Sequence, residues 1–151
     1  AFLNTATPNE EGGTLDEKEL IALEQQLKEH PQKNTLICLH HQLIPVNSAW
    51  LDTMAICNAD LLLNLLSKHN NIKGLIHGHV HQEFNGDING TPIYSTPSTC
   101  FQFKPNSVDF AIDESAPGYR WLELSHNGII NTSIVRLENV PSNLDSLSNG
   151  Y

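Results

Sequence analysis

The chain has 151 residues, 39% of them hydrophobic, which fits one domain with its own core and argues against a disordered polymer. Its 17 acidic and 8 basic residues give a formal net charge of −9, so no basic footprint for nucleic acid or an anionic membrane is expected. No apolar stretch approaches the roughly 20 residues needed to cross a bilayer, and no signal peptide is visible. A small anionic substrate stays open, because bound metal ions reverse the local field. Cys38, Cys57 and Cys100 are odd in number and far apart, and they read as reduced thiols of a cytoplasmic protein.

In chain order, Ala1-Phe2-Leu3-Asn4 reads as a strand already under way, and Thr5 to Gly13 as a polar loop. Thr14 and Glu17 match a capping box. Leu20, Leu23 and Leu27 then recur at helical spacing, and His30-Pro31 ends the helix. Thr35 to Leu39 is an apolar run without alternation, the mark of a strand covered on both faces. It ends in His40-His41. After a loop, Asn58 can cap a second helix whose apolar face is Leu61, Leu62, Leu65 and Leu66. Asn70-Asn71 closes it, and Ile72 to Ile76 forms the next strand.

This is a βαβ unit with a parallel strand pair. The second strand runs into His77-Gly78-His79-Val80-His81, where Gly78 is expected to supply the turn that aims the rings. The carboxyl ends of parallel strands share one sheet edge, where ligands gather in open α/β sheets. His40 and His41 are therefore expected beside His79 and His81. Neutral imidazole is the commonest metal ligand, so two histidine groups at two strand ends point to a metal site.

The remainder changes character. Glu83 to Ile88 and Pro92 to Tyr94 flank Asn89-Gly90, a type I′ hairpin signal. Ser95 to Ser107 is a loop rich in Ser, Thr and Pro. Val108 to Ile112, Tyr119 to Leu124 and Ile129 to Val135 read as alternating strands. Residues 138–151 read as a polar, flexible tail.

Three segments carry a family resemblance: Leu39-His40-His41, Gly78-His79-Val80-His81, and the run from Ser95-Thr96-Pro97-Ser98-Thr99-Cys100 through Gln102-Phe103-Lys104-Pro105. With Ala116-Pro117-Gly118-Tyr119-Arg120, they resemble the calcineurin-like metallophosphoesterase superfamily. More narrowly, they resemble the bacterial class III 3′,5′-cyclic-AMP phosphodiesterases. The family's Asp-x-His and Gly-Asn-His motifs do not occur here, and Asn85-Gly86-Asp87 belongs to the hairpin rather than to the family's Gly-Asp motif. The chain thus resembles only the C-terminal half of such an enzyme. The resemblance implies half of a four-layer α/β/β/α sandwich, with one βαβ unit followed by mostly antiparallel strands. It also implies that residues 1–137 are the C-terminal part of the domain.

The resemblance further implies roles. His40 and His79 would bind one metal and His81 the other, with the remaining ligands in the absent half. The complete enzyme would hold two divalent ions, manganese, iron or zinc, which the ligand types alone do not separate. Two such ions about 3.5–4 Å apart clamp a phosphodiester and acidify a bridging water. The resulting hydroxide would convert cyclic AMP to 5′-AMP, with the ribose 3′-oxygen leaving.

His41 either orients a ligand, contacts phosphate, or is a satisfied polar residue at the strand end. His77 faces away from Gly78 by strand alternation and reads as structural. Asp52 and Asp60 read as surface or cap residues. Ser98, Thr99 and Lys104 sit in a loop able to line a nucleotide pocket or merely to join two sheets. No residue here reads as directly catalytic. Two other readings stand beside cyclic-AMP hydrolysis: action on another phosphodiester, and a non-catalytic module binding a metal or partner. A sheet edge left open by the missing half is expected to drive homo-oligomerisation or association.

Overall fold

The computed structural model describes residues 1–139. Within them, helix α1 spans Glu17–Glu29 and strand β1 Thr35–Leu39. Helices α2 (Ala49–Asp52) and α3 (Ala59–Lys68) follow, then strand β2 (Ile72–His77). Strands β3 (Asn85–Ile88) and β4 (Thr91–Ser95) form a hairpin. The short strands β5 (Gln102–Phe103) and β6 (Ile112–Asp113) pair with each other, as do β7 (Gly118–Leu124) and β8 (Ile130–Arg136).

The main sheet has the order β1-β2-β4-β3. β1, β2 and β4 run parallel, and β3 returns antiparallel to β4. The βαβ unit is present as expected, and β4 extends the parallel set to three. Helices α1 and α3 share a core with the sheet. Leu20, Leu23 and Leu27 of α1 are buried, as are Leu62, Leu65 and Leu66 of α3, around the fully covered Ile37, Leu75 and Ile93. Ile37 and Leu75 pair across the sheet, so central positions of β1 and β2 meet the same core. The Asn89-Gly90 hairpin forms with φ of 52° and 87°, the left-handed pair a type I′ turn needs.

Several local expectations are corrected. The N-cap of α1 is Asp16, whose carboxylate accepts from the Lys18 amide at 2.8 Å, rather than Thr14. Aspartate at the cap satisfies an orphan amide and also suits the positive helix end. Asn58 flanks α3 without capping it. Its side-chain amide instead clamps Leu15, accepting from the Leu15 amide at 2.9 Å and donating to its carbonyl at 3.0 Å. Leu61 is only half-buried. Val108 to Ala111 is not strand, because pairing there begins at Ile112. Ala1 to Leu3 does lie along β1: Phe2 bridges Cys38 in parallel, and the Leu3 amide donates to the Cys38 carbonyl at 2.9 Å. The tail expected over 138–151 lies outside the described residues from position 140 onward. Cys38, Cys57 and Cys100 are unpaired. Among the described residues no helix is long and apolar enough to cross a membrane.

Candidate metal centre

The parallel register sets the site. Leu39 pairs with His77, and His77 with Ser95, so β1, β2 and β4 end at one level. The next residue after β1 is His40, and Gly78-His79 follow β2. The Gly78 amide donates to the His40 carbonyl at 3.1 Å, which continues the ladder one step past the strands and locks the two turns together.

Three imidazoles converge there. Ring centroids of His40 and His79 are 5.2 Å apart, those of His41 and His79 4.6 Å, and those of His40 and His41 4.8 Å. One nitrogen from each of the three lies within 4.8 Å of the others, a spacing a single cation can draw together. His79 is the pivot. Its Nε2 is buried without a hydrogen-bond partner, as are those of His69 and His77, but only the His79 ring lies in the three-imidazole cluster. Burial, followed by the neighbouring imidazoles, pushes its pKa from 6.5 to about 3, so the ring is neutral and its lone pair free. Burial lowers His40 as well. The residues therefore fit a divalent metal: neutral imidazoles, one orphaned nitrogen and a common focus.

The backbone does not use Gly78 for the turn. The left-handed residues are His79 at φ 61° and His81 at φ 48°. Each such residue costs on the order of 1–3 kcal/mol and persists only where its surroundings impose it. A side chain at Gly78 would make only ordinary contact, 3.6 Å from His40 Nδ1. Histidine tolerates the left-handed region better than most residues.

His41 is buried and held at both ring nitrogens. Nε2–H donates to the Glu11 carbonyl at 3.1 Å, which leaves Nδ1 to accept from the Thr5 hydroxyl at 2.8 Å. The His41 amide donates back to that hydroxyl at 3.3 Å. So although His41 sits in the three-ring cluster, it keeps no free nitrogen unless the Glu11 carbonyl lets go. A methyl on Gly13 would come 2.8 Å from the His41 ring, so this close approach requires glycine.

His81 lies outside the three-ring cluster but lines the same cavity of about 300 Å³. Its Nδ1–H donates to the Phe101 carbonyl at 3.1 Å, leaving Nε2 free. That is how ligating histidines are usually oriented. Its ring stacks on Phe103, with centroids 4.6 Å apart and planes at 10°. His77 turns inward and is 1% exposed, with its Nε2 buried and unpartnered. Its Nδ1 donates to the Gly78 carbonyl at 3.1 Å, and burial pushes its pKa to about 4.

Other expected residues play different parts. Asp52 is half-buried, and its carboxylate accepts from the Val46 amide at 2.8 Å and braces the loop after His41. Asp60 is exposed in the first turn of α3. Ser98 folds back on the Gln102 side chain, its amide donating at 2.9 Å and its carbonyl accepting at 2.8 Å. Thr99 and Lys104 are exposed. The sequence reading missed Thr5, Glu11 and Gly13 around His41, and Trp50, Leu51 and Met54 on the cavity wall. No local pattern marks Thr5 as a partner of His41, since 36 positions separate them.

Comparison places this arrangement in a class. A dimetal phosphatase from Danio rerio superposes with a TM-score of 0.51 at 18% identity, over 82% of this chain and 39% of that one, so the chain shares part of that protein's fold. In sequence it is similar to the 3′,5′-cyclic adenosine monophosphate phosphodiesterases CpdA of Vibrio vulnificus (43% identity) and Escherichia coli (42%), each over 92% of this chain. The Pseudomonas aeruginosa protein of that name is 34% identical over 99% of the chain. The chain spans about half the length of these relatives: 51%, 50% and 55%. By sequence, then, it is similar to about half the length of proteins named CpdA cyclic-AMP phosphodiesterases. No known family profile matches it.

Proposed function

We propose that the full protein carrying this chain is a metal-dependent phosphodiesterase hydrolysing 3′,5′-cyclic AMP to 5′-AMP. This chain would be the C-terminal part of its catalytic domain, over residues 1–137. The single observation that carries the reading is the convergence of His40 and His79 at one sheet edge, with His79 Nε2 buried and unpartnered. The sequence likeness to the CpdA proteins directs it to cyclic AMP.

In this reading His40 and His79 hold one divalent ion, and His81 serves a second through its free Nε2. Manganese, iron and zinc all suit imidazole with added oxygen ligands. A bound cation supplies positive charge against the phosphate oxygens and lowers the pKa of water. The chain's own residues do the rest. Thr5 and Glu11 fix the His41 ring beside the ligands, and Phe101 and Phe103 fix that of His81. In balance, a water oxygen bonds to phosphorus, the bond from phosphorus to the 3′-oxygen breaks, and that oxygen takes the proton. The net charge of −9 supports a small-molecule substrate rather than nucleic acid, and three free thiols support a reducing, cytoplasmic setting.

The test is hydrolysis by the full-length protein of cyclic AMP and of a generic aryl phosphodiester, with and without a chelator. Cyclic AMP turnover that a chelator abolishes and added manganese restores is expected. Turnover of the aryl diester alone would move the substrate elsewhere. Absence of any metal-dependent hydrolysis would leave only a binding module.

A further inference from the structure

The cavity beside the histidines has two unlike halves. One is the imidazole cluster; the other is a wall of Trp50, Leu51, Met54 and Phe103. Trp50 stands on the short helix α2 in the loop between His41 and α3, a segment with no evident role in holding metal. The loop is nonetheless tied down. The fully buried Gln42 side chain donates to the Leu51 carbonyl at 2.7 Å, and Asp52 accepts from Val46. The Ala49 amide donates to the Ser107 carbonyl at 2.9 Å, and Gln82, just beyond His81, donates to the buried Ser48 hydroxyl at 3.1 Å. Leu51 is 0% exposed and anchors the helix from below. The histidine loop and the Trp50 loop are thus one rigid piece.

Trp50 itself meets Phe103 at 87° and Phe110 at 67°, with centroids 4.9 and 5.1 Å away. Both contacts are edge-type, and no aromatic ring stacks on the indole among the described residues. Its Nε1–H is buried without a hydrogen-bond partner. Phe103, by contrast, already carries His81 in a stack.

We propose that Trp50 is a substrate-positioning platform that takes the flat nucleobase of the diester while the histidine end takes its phosphate. The inference rests on the phosphodiesterase reading above and adds to it the residue that selects for a base. A cavity of about 300 Å³ is at the lower end of small-ligand sites, and one flat ring with a phosphate group suits it. Stacking on an indole accepts any base through its π-face, so Trp50 selects for an aromatic base rather than for adenine in particular.

Two arms test it. In the full-length protein, Trp50→Leu should raise KM for cyclic AMP by roughly tenfold or more, the loss typical of one removed base stack. It should leave metal content unchanged, and also turnover of ribose 3′,5′-cyclic phosphate lacking a base; Trp50→Phe should restore most of the affinity. Equal loss with both substrates, or an unchanged KM for cyclic AMP, would overturn the proposal. The second arm needs no activity. The sequence has two tryptophans, so Trp121→Phe leaves Trp50 as the single emitter in this chain. Adenosine should quench that emission saturably and ribose 5-phosphate should not. If no phosphodiester is cleaved yet adenosine quenches, the phosphodiesterase reading fails and the base platform stands; no quenching overturns the platform whatever the catalysis.

Discussion

His79 concentrates the chemistry of the molecule in one side chain. Its backbone is left-handed at φ 61°, its Nε2 is buried and unpaired, and burial drives its pKa to about 3. In the proposed metal centre a cation would satisfy the orphan nitrogen, so His79→Ala should reduce affinity for manganese or zinc by roughly 100-fold or more, the upper range for disturbing a metal site. Titration calorimetry on the metal-free chain checks this, and unchanged affinity would remove His79 from the site. The same burial has a pH consequence. His79 and His77 titrate near 6.5 when unfolded and at about 3 and about 4 when folded. Between those values the unfolded chain binds more protons, so stability is full above about 6.5 and is lost as pH falls toward the folded values. Thermal melts of the metal-free chain should decline with acid over that window, and a flat profile would contradict the burial argument.

The histidines were readable because each group ends an apolar run, and strand ends gather ligands. What escaped at this scale was the source of the turn. Gly78 is the residue sequence logic favours, yet His79 and His81 take the positive φ. The signal was overridden because histidine itself enters the left-handed region more readily than most residues.

At the scale of elements, β1 and β2 end in the candidate site and the loop from Thr5 to Gly13 holds His41 from outside. That loop meets His41 through the Thr5 hydroxyl, the Glu11 carbonyl and the close approach of Gly13. Gly13→Ala would force the His41 ring aside. Its expected effect is a loss of roughly tenfold in metal affinity, as for displaced outer partners, with the fold retained. Calorimetry alongside circular dichroism distinguishes this from unfolding, and unaltered binding would show that His41 plays no part in orienting the ligands. The βαβ unit and the β3–β4 hairpin were legible from run length, helical spacing and Asn89-Gly90. Helix α2 was not: four residues carry no periodicity, and polar ties to distant side chains hold the loop around it. The caps failed for a related reason, since Thr14 and Asn58 were drawn into contacts with Cys57 and Leu15 that are 43 positions away.

For the whole molecule, the covered and uncovered surfaces differ sharply. Ala1 to Leu3 lies along the outer edge of β1, while β3 stands at the opposite edge of the sheet. On the β7–β8 hairpin, Tyr119, Trp121 and Val135 are exposed, and Leu137 just beyond it as well. Exposed apolar side chains clustered on a two-stranded ribbon favour association. Light scattering on the eluting chain should therefore give a mass above the 16.8 kDa of one copy, and Trp121→Glu should lower it. A clean monomer at all concentrations would contradict the expectation.

Strand ends from distant parts of the chain bring imidazoles together, and the proposed function stands or falls on whether they share one cation. Anomalous diffraction from crystals soaked in zinc reads it directly. The account predicts a peak about 2.0–2.1 Å from His79 Nε2, the usual zinc–imidazole distance, with a His40 nitrogen in the same shell. Zinc bound elsewhere, with the His79 ring left empty, would contradict it.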